Sequence, residues 1–365
     1  MHEELSGVRI MAYTTIDDGS KYFQTAIWTG NASNRSIVNP GNSDMQPDWV
    51  WTKKRSAAQN HCVTDSSRGV ANIIFPDASD NESATQLLTS FDSDGFSINT
   101  NALVNENSAT YVGWQWKCNG GSTETAVNES GDNPGNVRQT NTDAGFSIIT
   151  YTGTGDAGTI AHGLGAVPHW IVIKQRTDVG GVAEWVVFHK RLGGTHYVKM
   201  RTTASQIDSS GLWEDTDPTS SVFTVHSSHQ ANADGGNFVA YVFTEKQGYS
   251  KFGSYIGSGN DNGPFIYTGF KPAWLMIKRI DGGSNAWGIY DSVRGAFNEI
   301  TMNLDADRND AENTATNYDD LDFLSNGFKL YEENDDINAS SGEYIYMAFA
   351  EHPFVSSKGV PTTAR

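Results

Sequence analysis

The sequence predicts an all-β protein made of three tandem homologous β-sandwich modules with a jelly-roll-like fold. Short segments rich in Val, Ile, Tyr, Phe and Trp alternate with Gly, Asn, Asp and Ser, which is typical of sandwiches and barrels. The same landmarks occur three times in the same order, and such self-similarity indicates repeated units. Only 19% of the residues are charged and 37 of 365 are glycine, a balance that excludes coiled coils and long helical bundles.

The clearest landmark is a proline followed by an aromatic and apolar strand that ends in basic residues. It occurs at Pro47, Pro168 and Pro272. A strand that ends in glycine precedes each proline, and an aromatic strand closes each unit. The predicted organisation is an N-terminal docking extension at 1–19, modules at 20–120, 143–247 and 249–353, a polar linker at 121–142 between the first two modules, and a C-terminal tail at 354–365.

Two further features of the repeat can be placed in a sheet. Trp49, Trp170 and Trp274 each follow their proline by two residues, so we expect them to occupy equivalent positions. The closing strand of the third unit, at 343–351, is apolar on both faces. Strands of that kind lie centrally in a sheet that is covered on both sides.

Local signals predict two turns, one helix and one linker. Asp94-Gly95 and Asn326-Gly327 are type I′ hairpin signals, because both central residues of that turn need a positive φ. Residues 305–316 predict one short helix. The linker at 121–142 has too little hydrophobicity to order itself by burial, so it either wanders over the surface or is held by a neighbour.

The charge balance excludes whole classes of function. The chain has 25 Lys and Arg against 43 Asp and Glu, a net charge of −18, which repels phosphate backbones. We therefore expect no nucleic-acid partner. No window reaches the length of an apolar membrane span, and the first residues lack the pattern of a signal peptide. We expect a soluble protein made in the cytoplasm, with no membrane insertion.

Metal and thiol chemistry finds little support in the sequence. His226 and His229 have no cysteine or carboxylate cluster beside them, so zinc is not predicted. The acidic loop that begins at Asp305 has Asp310 and Thr316 where an EF-hand needs glycine and glutamate. A looser calcium site between loops stays open, as does the choice between a Cys62–Cys118 disulfide and two buried thiols. We predict no catalytic residues, no metal and no cofactor.

A DSxRG turn occurs in two of the units and carries paired charges. Asp65 and Arg68 lie in the first unit, and Asp291 and Arg294 in the third. A carboxylate and a guanidinium three residues apart can serve catalysis or can fix a loop through a bidentate ion pair. Because an active site is rarely built twice at equivalent positions of one chain, we predict structural ion pairs.

Two loops are candidates for receptor binding. Loops on a β scaffold commonly carry recognition, and exposed aromatic rings flanked by Asp and Asn suit glycans. Trp213 lies in such a loop at 206–219, and Tyr318 lies in an acidic run at 305–320. The structural alternative for Trp213 is a lid on the core of the second module.

Long strings of the sequence resemble known virion proteins. Residues 159–176, with the pattern HGLG…P…IKxR, resemble an element found across tailed-phage fibre and virion proteins. Residues 249–279, 321–330 and 342–354 are similar to a domain of unknown function that is widespread in virion proteins of phages infecting marine bacteria. The resemblance covers nearly the whole chain from about residue 23, and it carries no established catalytic residues.

The resemblance implies a non-enzymatic virion structural protein, a tail fibre or other host-contacting appendage located in the virion. The alternative is a capsid decoration or head fibre protein, and a carbohydrate-active depolymerase is a third possibility. The implied partners are other virion proteins and a host surface receptor or glycan. We expect a homotrimer, docked through residues 1–20, because the apolar side chains of residues 8–16 have no module to bury them.

Overall fold

Antiparallel strands make up the fold that the computed structural model describes for residues 12–126, 133–314 and 321–362. All named strand pairs in these ranges are antiparallel, and the prediction of an all-β protein is confirmed. In the first part of the chain the strands are β1 (Phe23–Thr29), β2 (Arg35–Ile37), β3 (Trp49–Lys54), β4 (Cys62–Asp65), β5 (Leu88–Asp92), β6 (Gly95–Ile98), β7 (Thr110–Trp116) and β8 (Glu124–Thr125).

The remaining strands follow in two further groups. The middle group is β9 (Asn136–Asn141), β10 (Phe146–Thr152), β11 (Gly158–Ala161), β12 (Trp170–Gln175), β13 (Trp185–His189), β14 (His196–Lys199), β15 (Ile207–Asp208), β16 (Val222–Val225) and β17 (Asn237–Phe243). The last group is β18 (Ser250–Ile256), β19 (Phe265–Tyr267), β20 (Phe270–Arg279), β21 (Trp287–Asp291), β22 (Leu304–Asp305), β23 (Leu321–Leu324), β24 (Gly327–Leu330) and β25 (Glu343–Pro353).

Helices are few and short. A 3-10 turn spans Gly19–Lys21, and the one-turn helices are α1 (Ala102–Asn105), α2 (Ser210–Trp213) and α3 (His229–Asn232). Asn101 and Ser228 cap α1 and α3 by accepting a backbone N–H with their side chains, which satisfies groups that a helix leaves unpaired at its start.

Three large sheets share one strand order. Sheet 1 runs β1-β7-β3-β4, and sheet 3 runs β18-β25-β20-β21-β22. Sheet 2 contains the same arrangement as β10-β17-β12-β13 and extends it with β14 and β15 on one side and β9 and β8 on the other. In each sheet the closing strand lies between two partners, so the prediction of a central position for β25 is confirmed.

A small sheet covers the outer face of each large sheet. These small sheets are β2-β6-β5, β11-β16 and β19-β24-β23. Trp28 of β1 meets Phe96 of β6 edge to face at 5.8 Å between ring centroids, and both belong to one buried cluster. The large sheets therefore bury an apolar face outward as well as inward.

The inner faces of the three large sheets meet in one shared aromatic core. Trp49, Trp170 and Trp274 all lie in this core, and each lies opposite an aromatic residue of the closing strand of its own sheet. Each also reaches another sheet. The ring centroids lie 4.7 Å apart for Trp49 and Tyr241, 6.1 Å for Trp170 and Trp287, and 5.4 Å for Trp274 and Trp116.

Two local predictions are wrong. Residues 305–314 form no helix, because their backbone groups bond elsewhere: Asn303 pairs with Asn313, and the Glu312 N–H donates to the Arg55 carbonyl at 2.9 Å. The second wrong prediction is the type I′ turn. Both predicted hairpins exist, but their two-residue loops are 93–94 and 325–326, one residue earlier than expected. In the first hairpin Gly95 has φ +100° but lies after the loop, and Asp94 within the loop has no positive φ, so this turn is not type I′.

The linker and the N-terminal stretch are partly held by neighbours. Within 121–142, β9 pairs with β10 along its length, which gives its polar backbone groups partners. In the N-terminal stretch, Ile16 is buried in the shared core, and the Tyr13 hydroxyl donates to the Gly269 carbonyl at 2.8 Å. The premise that residues 8–16 have no module to bury them is therefore wrong for Ile16. Residues 1–11 lie outside the described residues.

The two cysteines are buried free thiols. Cys62 packs in the outer core of sheet 1 and Cys118 in the shared core. Burial raises the pKa of both thiols, which disfavours the reactive thiolate.

The shared core predicts that the three sheets unfold together. Replacing Trp49 with Ala removes a ring that contacts two sheets, and we expect a loss of about 3–5 kcal/mol of unfolding free energy. Urea unfolding followed by tryptophan fluorescence and far-UV circular dichroism measures it. Both probes should show one coincident transition in wild type and variant, and a separate early transition for one sheet would contradict a common core.

Candidate functional site

The DSxRG turn of sheet 1 is a buried network at the boundary with sheet 2. The Arg68 guanidinium pairs with Asp65, donates to the Val63 carbonyl at 3.1 Å and donates to Glu82 at 2.8 Å. The Tyr241 hydroxyl of sheet 2 donates to Asp65 at 2.6 Å. The Arg68 and Asp65 side chains have no exposed surface, so both charges depend on these partners.

The turn of sheet 3 repeats the arrangement at its boundary with sheet 1. Arg294 pairs with Asp291, donates to the Ile289 carbonyl at 2.9 Å and donates to Glu312 at 3.0 Å. Trp114 of sheet 1 donates its indole N–H to Asp291 at 2.9 Å. Both predicted charged pairs are thus ion pairs, and each one lies where two sheets meet.

Two glutamates connect these turns to the next sheet. Glu82 pairs with Arg176 of sheet 2 at 2.7 Å, and Glu312 pairs with Arg55 of sheet 1 at 2.7 Å. Sequence reasoning did not single out either glutamate. The sequence does show Arg55 and Arg176 at the ends of the basic strands of the first two units. A half-buried arginine needs an acidic partner, so these two arginines were the sequence feature that could have pointed to the glutamates.

Backbone hydrogen bonds join the three sheets in a cycle. The N–H of Glu82 donates to the Arg176 carbonyl at 2.9 Å, from the first part of the chain to sheet 2. The N–H of Gln206 donates to the Ile280 carbonyl at 3.0 Å, from the second part to sheet 3. The bond from the Glu312 N–H to the Arg55 carbonyl joins the third part of the chain to sheet 1 and closes the cycle. Each bond ends at the residue six positions after the strand tryptophan.

A buried lysine lies four residues after each of those tryptophans. The Lys53 ammonium donates to the carbonyls of Gln59 and Asn309, and Lys278 donates to that of Thr203. Lys174 donates to the Ala183 carbonyl. Burial lowers the pKa of Lys53 and Lys278 to about 8 and that of Lys174 to about 7. At the boundary between sheets 3 and 1 and at the boundary between sheets 2 and 3, the lysine contacts the neighbouring part of the chain.

Of the two interpretations of Trp213, the structure fits the lid on the core of the second part of the chain and not the exposed receptor-binding ring. The Trp213 side chain is only 1% exposed, and its ring meets Phe188 edge to face at 5.9 Å. Helix α2 turns the ring inward onto the outer core of sheet 2, so it is not available to stack on a sugar. Tyr318 lies outside the described residues.

The acidic loop and the two histidines take part in the protein's own local structure. In the acidic loop, Asp307 accepts the backbone N–H of Trp287 at 2.8 Å. His226 contacts the Ser227 hydroxyl, and His229 begins α3. No group of three His, Cys, Asp or Glu side chains in the described ranges is placed to hold a metal ion. Among those residues no helix has the length and apolar character needed to cross a membrane.

Comparison with known proteins identifies a family. The family model of a domain of unknown function, DUF7483, matches residues 18–353. No curated protein matches the chain, and no solved structure matches it.

The buried turn predicts a large loss of stability on removing its arginine. Arg68→Ala leaves Asp65 without its guanidinium, and we expect a loss of about 3–5 kcal/mol of unfolding free energy. Arg308→Ala is the matched control, because Arg308 also pairs with an aspartate three residues away but is 42% exposed, and it should cost less than about 1 kcal/mol. Equal losses in urea unfolding would contradict a boundary role for Arg68.

The lysines predict that stability rises with pH between about 7.5 and 8.5. Their pKa is lower in the folded chain than the ordinary 10.5, so the unfolded chain binds more protons in this range. Burial raises the pKa of Asp77 to about 7, which gives the opposite slope only at lower pH. Lys174→Met should flatten the slope in urea titrations across this range. An unchanged slope of unfolding free energy against pH would contradict the view that Lys174 is neutral in the folded chain and protonated in the unfolded chain.

Proposed function

We propose that this chain, which belongs to the family of the domain of unknown function DUF7483, is a non-enzymatic structural protein of a virion. The family name gives no activity, so the proposal is argued from the residues of the chain. We propose further that the chain forms a tail fibre or another host-contacting appendage. The sequence strings similar to phage virion proteins support this proposal, and all but the last residue of these strings lie within residues 18–353.

The cyclic contact pattern is the observation that carries the structural role. Buried charged groups at two of the three boundaries bind neighbouring sheets to each other, as in the network of Arg68, Glu82 and Arg176. Charges used in this way hold a rigid block in one arrangement. We infer that the block consists of three homologous β-sandwich modules, since the strand order, the core tryptophan and the buried lysine recur in each.

The alternative proposal is a capsid decoration or head fibre protein. The observation that favours it is the same cycle, which gives one chain three corresponding surfaces around a common core. A body of that kind suits a three-fold position on a symmetric shell. Association of three copies into a homotrimer is part of the appendage proposal.

Localisation on the particle tests the proposal. Purified virions of the virus that encodes the chain are analysed by quantitative mass spectrometry and by immunogold electron microscopy with an antibody against residues 18–353. We expect the chain in the particles, in a copy number that is a multiple of three, with gold at the tail. The major capsid protein serves as the positive control.

The outcomes separate the two proposals. Gold distributed over the head favours decoration over an appendage. Absence of the chain from particles that contain the expected amount of capsid protein contradicts both.

A further inference from the structure

The outer small sheet of the third part of the chain exposes two aromatic rings. Phe265 and Tyr267 of β19 are 45% and 52% exposed, whereas Ile266 between them is buried. Residues two apart on a strand point to the same side. Strand β19 is at the edge of its sheet, with β24 as its neighbour, so the two rings form an accessible pair.

Polar groups flank this pair on the neighbouring strands. Lys329 of β24 lies opposite Phe265, and Asp322 of β23 lies opposite Lys329. The Tyr331 hydroxyl donates to Asp322 at 3.0 Å, and the Lys329 ammonium lies 5.0 Å from the centre of the Tyr331 ring. We name these five residues, Phe265, Tyr267, Asp322, Lys329 and Tyr331, the β19 face.

The groups of the β19 face are held in place by the protein itself. The Tyr267 hydroxyl lies 3.0 Å from the hydroxyl of Tyr13, and the Lys329 ammonium donates to Asn262 at 2.8 Å. A Cβ atom at Gly327 would lie 3.0 Å from the Phe265 ring, so the glycine leaves room for that ring to lean over β24. A surface fixed before binding loses less conformational entropy on binding.

The other two small sheets provide an internal comparison. Each small sheet has a buried isoleucine that lies opposite a phenylalanine of the neighbouring strand. These isoleucines are Ile37 of β2, Ile160 of β11 and Ile266 of β19, and we align the three strands on them. The position of Phe265 is then Ser36 in β2 and Thr159 in β11. Both sheets form with small polar residues there, so packing does not require an aromatic ring. The aromatic rings of β19 therefore distinguish the exposed surface of this small sheet from that of the other two.

We propose that the β19 face binds a neutral glycan, which names the ligand class of the proposed host-contacting protein and rests on that proposed function. The electron-rich faces of aromatic rings attract the partly positive C–H groups of a sugar ring. The flanking carboxylate, ammonium and hydroxyl groups can bond sugar hydroxyls. The face carries one lysine and one aspartate, and Glu299 lies near enough to add to the burial and the Asp322 contact that raise the pKa of Tyr331. With no excess of positive charge in a chain of net charge −18, the face opposes an anionic partner and favours an uncharged one.

Glycan binding by the purified full-length chain tests the proposal. The probes are cellohexaose, maltohexaose and chitohexaose, a printed array of neutral and acidic glycans, and a polyuronate hexamer as the anionic comparison. We expect a neutral glycan to bind at least ten-fold more tightly than the polyuronate. The double variant Phe265→Ser, Tyr267→Ala carries residues found at the corresponding positions of β2 and β11 and should lower that affinity at least ten-fold.

Two further variants keep the result interpretable. Phe265→Tyr retains the ring and should bind within about two-fold of wild type. Phe297→Ser removes a ring that is 78% exposed but lies outside the β19 face, and it should leave binding unchanged. Thermal unfolding of each variant verifies the fold, and if the double variant does not fold, comparison of Phe265→Ser with Phe265→Tyr replaces it.

Several results would overturn the proposal. Three of them are binding results: no neutral glycan binds, the double variant binds as tightly as wild type, or the polyuronate binds more tightly than any neutral glycan. The fourth is a change from oligomer to monomer in the double variant, which would identify the face as a contact between copies. The particle experiment is independent of this one. A chain that binds glycans through the β19 face but is absent from virions contradicts the proposed function alone, and a virion chain without glycan binding contradicts this inference alone.

Discussion

The inner faces of the large sheets must be covered, and the rest of the structure depends on how this is done. Strand β25 is buried along most of its length, so sheet 3 cannot leave either face in water at low cost. A small sheet covers the outer face, and the other large sheets cover most of the inner one. Burial of aromatic surface is the main favourable contribution to such a core. Each large sheet therefore needs the other two.

The polar boundaries follow from that core. Bringing the sheets together buries charged side chains where two sheets meet, and a buried charge is costly unless it is paired. The Asp65–Arg68 and Asp291–Arg294 pairs meet this requirement at two boundaries. At the third, His189 occupies the corresponding position, opposite Trp170, and a backbone bond from Gln206 spans the gap. Because that boundary forms without the pair, the ion pairs specify the arrangement more than they drive it.

Sequence reasoning could predict the features that recur and missed those that depend on contact between distant segments. The repeated prolines and tryptophans predicted the strands, and the apolar closing strand predicted its central place. The role of Glu82 and Glu312 in joining two sheets was missed, because the arginine that each one binds on the neighbouring sheet lies 94 and 257 residues away in sequence. For Trp213 the sequence left open an exposed recognition ring or a lid on the core, and only the one-turn helix α2, which directs the ring inward, decides for the lid.

The distinction between recurring and unique residues also separates assembly from recognition. A residue on an inner face contacts another sheet, as Trp49 contacts Tyr241, so its identity is constrained by that neighbour. On the outer edge strands the corresponding positions instead make contacts near their own small sheet, as Ser36 does with Ser97 and Thr159 with Asn133. At these positions Ser36, Thr159 and Phe265 differ. The DSxRG turn recurs and serves the boundaries between sheets. The exposed rings of β19 occur in one sheet of the three, which is the distribution expected of a surface that binds a partner.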